Sequence, residues 1–326
     1  MPTTYDVLKA AITGNADTLL TSTMGSNGLL PKEVAKQFLE QTFEATNLSQ
    51  IVRHELHASP TGQINKIGIA RRITEAKTEN YDSGYRAKPQ FTAVEYATTA
   101  VRVPWEVTEE TYLDNIEGEA LEGRLTRMMT TRVGVDREDL CINGDTDTPT
   151  SDDDSKFLRI NDGWLKQIAN GGHVLDLSTD TSYQGGVTDE MFWQLLDQLP
   201  NKYANKANLK WLMSPRAHRR YLQYLIHNAV SVGGIITDAR IEAPCGIAVV
   251  EVESMPDDKI ILADPDNLVI VSTYAMKIRK TDEGESAIML DKRFYVIHYD
   301  FDPIVEELDA TAIATGVRMS VGEATV

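Results

Sequence analysis

Apolar positions along this 326-residue chain change their period twice. Val34, Phe38, Leu39 and Phe43 recur at helical spacing within "LLPKEVAKQFLEQTFEATNLSQIV", with Pro31 suited to a first turn, and predict one short amphipathic helix. The period then falls to two. Ile67, Ile69 and Ile73 share one parity in "KIGIARRI", and Phe91, Ala93, Ala97, Val101, Val103, Trp105 and Val107 share one parity in "FTAVEYATTAVRVPWEV". Such alternation predicts half-buried strands. The polar, turn-rich "TEAKTENYDSGYRAKPQ" between them predicts a long hairpin with a mobile tip. Each arm of about ten residues would span roughly 33 Å. Two strands alone are marginal in water, so the apolar face needs a partner. Of its own body and another subunit, the second is the expectation here.

Helical spacing returns with Ile116, Ala120, Leu121, Leu125, Met128, Met129, Val133 and Leu140. This predicts a core-facing helix of roughly 40 Å at about 1.5 Å per residue. Asp114 and Glu117 stand at capping-box spacing, and Asn143-Gly144 sits where a left-handed C-terminal residue is expected. Gly118, Gly123 and Gly134 each cost up to about 1 kcal/mol relative to Ala, so packing must hold this helix. Beyond it, Thr188 is expected to cap the helical "DEMFWQLLDQL", "LKWLM" reads as a strand, and "SPRAHRRYLQYLIHNAV" as a helix from Pro215. The segments "GIAVVEVESMP", "KIILADP", "NLVIVST", "SAIMLDKRFYVIHYDFDPIVEEL" and "TAIATG" read mostly as strands, giving an α+β chain without repeats.

With 42% apolar and 25% charged residues, the chain can bury a sizeable core. Cys141 and Cys245 form neither a disulfide framework nor zinc spacing. No apolar run approaches the ~20 residues needed to cross a bilayer, and "MPTTYDVLKA" lacks the features of a signal peptide, so synthesis in the cytoplasm and no membrane partner are expected. The net charge of −17 disfavours specific DNA binding, which rests on Lys and Arg at phosphates.

The acidic "CINGDTDTPTSDDDS" resembles a calcium loop but fails as one. Counted from Asp145, Thr150 stands where Gly is needed and Lys156 where a bidentate Glu is needed. A solvated acidic loop is expected instead. In "RHELHAS", His54 and His57 are three apart rather than the four that bring two ligands to one helix face. Ser214 and His218 in "MSPRAHRRY" lack a glycine elbow, and "GGIITDARIEAPCG" lacks a phosphate-loop Lys. No catalytic residue, metal ligand or cofactor site is therefore assigned. Arg219 and Arg220 beside Tyr221 and Tyr224 read as a solvated helix face, with a subunit contact as the alternative. Arg71, Arg72, Arg86 and Lys88 are candidates for inter-subunit ion pairs worth only about 0–1 kcal/mol each if exposed, so Ile67, Ile69 and Trp105 should carry more of an association.

The order of these motifs from about Leu30 to Gly316 resembles the tailed-bacteriophage major capsid proteins of the Hong Kong 97 type. "GLLPKEVAKQFLEQTFEATNLSQIV" resembles that family's segment joining arm to body, and the Ile64–Val103 hairpin falls where the family has its extended loop. "VPWEVTEETYLDN" with "LEGRLTRMMTTRVGVDREDLCINGD" resembles its strand and spine helix. "APCGIAVVEVESMP" and "KIILADPDNLVIV" resemble its axial strands, and "RFYVIHYDFDPIVEELDATAIA" its return to the peripheral domain. The resemblance implies an N-terminal arm and lead-in helix over 1–60, an extended loop over 61–104, a peripheral domain with the spine helix over 105–187, an axial domain over 188–284, and a return with a C-terminal tail over 285–326. It further implies a structural, non-enzymatic shell subunit of the virion. Such a subunit assembles with itself as hexamers and pentamers around double-stranded DNA, without sequence-specific contact, and with portal and decoration proteins. The short lead-in points to a separate scaffolding protein. Some members crosslink through a loop Lys, but Lys66, Lys77 and Lys88 are ordinary in a polar hairpin. An encapsulin-type nanocompartment shell is the alternative within the same fold, and a metal-dependent hydrolase using His54 and His57 the alternative outside it.

Overall fold

The computed structural model describes residues 47–68, 90–114, 120–151, 153–180, 183–204, 208–232 and 243–320, together with 73, 74, 76, 79, 84, 86, 88 and 89. The lead-in helix, Glu117 of the capping box, Ile69, Arg71, Arg72 and Lys77 lie outside the described residues. In chain order the elements are β1 (Arg53–Leu56), β2 (Thr61–Gly68), β3 (Gln90–Ala97), β4 (Thr99–Thr108), α1 (Glu109–Asp114), α2 (Ala120–Asn143), α3 (Asp153–Leu158), α4 (Trp164–Gly171) and β5 (His173–Asp176). They continue with α5 (Asp189–Gln198), α6 (Asn201–Ala204), β6 (Lys210–Met213), α7 (Pro215–Val232), β7 (Val249–Glu251), β8 (Ile260–Ala263), β9 (Leu268–Ser272), β10 (Lys277–Thr281), α8 (Glu285–Leu290), β11 (Lys292–Val305) and β12 (Ala312–Thr315).

The 14-residue β11 organises the first sheet. Its first part pairs antiparallel with β10 and β4, the latter from Lys292↔Thr108 to Phe301↔Thr99, and its last residues pair with β9, which takes β1 in parallel. Alternation buries Tyr295, Ile297, Tyr299 and Phe301 of β11 on one side. The second sheet runs β5-β12-β8-β6-β7. All four residues of β8, "IILA", are buried because helices and chain cover both of its faces.

Two cores result. One joins Val133, Leu140 and Ile142 of α2 and Trp164, Leu165 and Ile168 of α4 to Ile270, Ile297, Phe301 and Ile313. The other lies under α5 and α7, where Phe192, Trp211 and Tyr221 meet edge to face at 4.8 and 5.1 Å. Fully burying one such side chain is worth about 1.5–3 kcal/mol. Gly134 of α2 is buried in such packing, whereas a Cβ at Gly123 would meet open space and Gly118 lies outside the described residues.

Four local expectations are corrected. The α2 stripe includes Val133 and Leu140 as buried residues, but Met128 is 62% exposed, because it lies on the face that turns away from α4. Gly144 is not at positive φ. Glycine is required there for close approach, since a Cβ would collide with the carbonyls of Asn161 and Leu140 and crowd the Gly163 nitrogen. Thr188 does stand at the N-cap of α5, yet without a side-chain capping bond. "SAIML" is the helix α8 rather than strand, closed by Asp291 in the left-handed conformation.

Candidate inter-subunit surface

The hairpin of β2 and β3 is read from its register. Ile64↔Val94, Gly62↔Tyr96 and Lys66↔Thr92 face one side, while Ile67↔Phe91, Asn65↔Ala93 and Gln63↔Glu95 face the other. The first side packs back on the subunit's own body. Ile64, Val94 and Tyr96 cover Val269, Val271 and Ile304 of the first sheet. Lys66 donates to the Glu306 carbonyl and lies 3.3 Å from the Glu307 carboxylate. At Gly62 the Tyr96 ring passes so close that a Cβ would fall 2.7 Å from its Cζ. The second side is open: Ile67 is 71% and Phe91 70% exposed. Own-body packing and an exposed apolar pair thus occur on the same hairpin, one on each side.

The single parity read along "FTAVEYATTAVRVPWEV" reverses at Thr98. Before it, Val94 and Tyr96 turn inward, and after it Val101, Val103 and Trp105 do. The break is held by hydrogen bonds to β11 and to the residue before β2. Thr98 donates from its hydroxyl to Asp300 at 3.1 Å and from its N–H to the Pro60 carbonyl at 2.8 Å. The Ala97 N–H donates to Asp302 at 2.7 Å. Burial pushes the Asp302 carboxyl up to about 6, against the lowering effect of the Ala97 N–H. Asp300 also accepts from the N–H groups of Thr273 and Tyr274 at 3.0 and 3.3 Å. None of these root residues was selected from sequence. Along β3 both parities carry apolar residues, Phe91 and Ala93 on one and Val94 and Tyr96 on the other, which was the available signal.

Of the sequence candidates, Ile67 lies on the open face, while Arg86 and Lys88 are exposed beyond β2. Trp105 is half-buried and stacks on Tyr295 at 5.2 Å and 7°, inside the body's own core. His54 and His57 sit on and just after strand β1 rather than on a helix. His54 Nε2 pairs with the Ser49 carbonyl at 2.8 Å, and burial lowers its pKa. His57 pairs with Glu55 at 3.0 Å. Among the described residues no group of three or more His, Cys, Asp or Glu is placed to hold a metal ion.

The acidic loop closes around a lysine. Lys166 Nζ of α4 lies 2.7 Å from Asp145, 2.6 Å from Asp147 and 2.7 Å from Asp162. Burial pulls the Lys166 pKa down, but the three carboxylate hydrogen bonds outweigh it and raise it. Hydrogen bonding from Lys166 holds Asp145 below the usual carboxylate range. A depressed carboxyl contributes stability above its unfolded pKa of about 3.9 and loses it as pH falls through the folded value. Lys166→Met is accordingly expected to lower the melting temperature at pH 7 by about 2–4 °C for roughly 1 kcal/mol. The deficit should shrink in a calorimetric pH series as pH falls below the ordinary carboxylate range and the depressed carboxyls take up protons.

No protein-family model matches the chain. It is 22% identical to the prophage capsid protein YqbE of Bacillus subtilis (strain 168) over 312 residues, 91% of this chain and 95% of that protein. Among solved structures it superposes on a chain of the satellite phage P4 procapsid, determined with its size determination protein, with a TM-score of 0.60 at 15% identity, covering 87% of this chain and 99% of that one. It also superposes on the SrpI encapsulin of Synechococcus elongatus PCC 7942 with a TM-score of 0.56 at 13% identity, covering 86% and 90%. The chain has the capsid fold of the Hong Kong 97 type.

Proposed function

We propose that this chain, built on that capsid fold, is the major capsid subunit of a tailed bacteriophage or prophage. In this reading it assembles as hexamers and pentamers into an icosahedral shell around double-stranded DNA. Its role is structural, without a catalytic step. The observation that carries the proposal is the cross-strand pair Ile67 and Phe91, open on a hairpin whose opposite face is fastened to its own body. An exposed apolar pair held at a fixed place suits a neighbouring copy. In the shell it would cover part of that neighbour, with Arg86 and Lys88 at the rim and Trp105 only supporting the strand beneath.

A net charge of −17 supports a shell that holds DNA without binding it, because a lining of this sign repels phosphates. Scaffolding, portal and decoration proteins would be separate partners, and the virion the place of action. The likeness to SrpI favours a second reading, a nanocompartment shell around a protein cargo. Negative-stain electron microscopy with sedimentation tests the common element. Closed shells, tubes or rings of five and six from the protein, alone or co-expressed with candidate scaffolds, are the expected result. Monomer under every such condition would overturn it. Particles from producing cells then separate the two readings: nuclease-protected double-stranded DNA supports the capsid, and a stoichiometric protein cargo supports the nanocompartment.

A further inference from the structure

From Gln198 to Thr237 the sequence holds Lys202, Lys206, Lys210, Arg216, Arg219 and Arg220 and no Asp or Glu, in a chain whose net charge is −17. Part of this excess is gathered on α7. Arg216, Arg219, Arg220, Gln223, Ile226 and His227 are all exposed, Ile226 at 56%. Their spacing at i, i+3, i+4, i+7, i+10 and i+11 puts them on one stripe. Helix α5 carries the opposite character. Its exposed residues Glu190, Trp193 and Asp197 form an acidic stripe, with Trp193 at 55% exposure.

The two helices lie side by side and look apart. Phe192 of α5 meets Tyr221 of α7 at 5.1 Å, and the Tyr221 hydroxyl donates to Asp189 at 2.7 Å. On each helix the exposed stripe lies well away from that contact residue around the wheel, by about 100–160° at 100° per residue. The sheet beneath agrees: α5 packs on β5 and β12 at one edge of β5-β12-β8-β6-β7, and α7 on β7 at the other. This unit therefore has an acidic edge with a proud Trp and a basic edge with a proud Ile.

Such edges are not self-complementary, so they disfavour a two-fold contact. They complement each other head to tail, the arrangement that closes rings. We propose that the α7 stripe of one copy docks on the α5 stripe of the next around the ring, with Arg219 and Arg220 opposite Glu190 and Asp197, and Trp193 against the Ile226 region. Local pairs leave this possible. Arg216 is engaged by Asp257 at 3.0 Å and His218 by Glu251 at 2.7 Å, both within the subunit, whereas Arg219 and Arg220 are exposed and Arg220 donates to the neutral Gln223 of its own stripe at 2.9 Å. A free polyanion is the competing occupant of the basic stripe, but it leaves the acidic Trp-bearing edge without a purpose.

This inference rests on the shell reading, and the test separates the two. Three variants are compared with the wild type by sedimentation velocity and electron microscopy: Arg219→Glu/Arg220→Glu, Glu190→Arg/Asp197→Arg, and all four substitutions together. Circular dichroism melts verify that each folds, as expected for exposed positions. Each one-edge variant should lose the ring and shell peaks, and the fourfold variant, with its edges exchanged, should regain them. Mixing the two one-edge variants should also restore rings, which alternate and so close with even membership only. Assembly of a one-edge variant like wild type, or no recovery in the fourfold variant, would overturn the docking while leaving the shell reading intact. A wild type that never assembles overturns both.

Discussion

Ile67→Asp/Phe91→Asp is expected to remain a folded monomer under conditions where the wild type forms rings or shells. The two residues face each other across the β2–β3 ladder and are 71% and 70% exposed, so nothing within the subunit is lost. The melting temperature of the isolated subunit should stay within about 2 °C, as for surface substitutions generally. In an assembled ring the same side chains would leave water. Burying each is worth about 1.5–3 kcal/mol, and a buried, unpaired carboxylate costs several more. The penalty recurs at every neighbour contact, which makes its effect on a closed shell near all-or-none. Ile64→Asp provides the contrast. Ile64 packs on the body from the same strand, so this change should detach the hairpin root and lower the melting temperature itself. Shells from the Ile67→Asp/Phe91→Asp protein in wild-type yield would remove the hairpin's open face from the assembly contacts.

That open face was half legible in the sequence. Period-two alternation found both strands and listed Phe91 and Ile67 on the same footing as Val101, Val103 and Trp105. What it missed is the parity reversal at Thr98, because its cause lies about 200 residues away, in the Asp300 and Asp302 carboxylates that hold Ala97 and Thr98. Trp105 was read as an association residue for the same reason: its stacking partner Tyr295 is remote in sequence. The calcium pattern was discounted on Thr150 and Lys156 alone, whereas Lys166, the cation that the Asp145 loop closes on, sits beyond α3 on α4 and carried no local signal. Gly144 was found at the right place for the wrong reason. A glycine chosen for close approach and one chosen for positive φ look identical in a sequence, and only the Asn161 and Leu140 carbonyls distinguish them. The fold-level resemblance survived these errors because it drew on the order of many elements, each of which tolerates a local misreading.

The carboxylates at the hairpin root should respond to mutation with opposite signs. Asp300 and Asp302 share one face of β11, but Asp300 accepts from Thr98, Thr273 and Tyr274, whereas Asp302 is held at 2.7 Å by the Ala97 N–H. Asp300→Ala strands three half-buried donors, each at a cost of about 1 kcal/mol, the low end of the usual range. A loss of roughly 3 kcal/mol and a fall of about 6–12 °C in melting temperature are expected. Asp302 differs because burial outweighs its hydrogen bond and lifts its carboxyl to about 6. A carboxyl that binds its proton more tightly when folded contributes stability below its unfolded pKa of about 3.9, and loses it as pH rises through 6. Asp302→Asn keeps an oxygen for the Ala97 N–H and cannot ionise. It should match the wild type near pH 4 and exceed it above pH 6, by about 1–3 kcal/mol after allowing for the new amide donor. Thermal melts at pH 4, 6 and 7.5 read both effects. If Asp302→Asn lost stability at pH 7.5, the ionised carboxylate would be a fastening of the hairpin rather than a strain on it. The root would then have to be re-read as tied by charge, with Asp302 acting alongside Asp300 instead of against it.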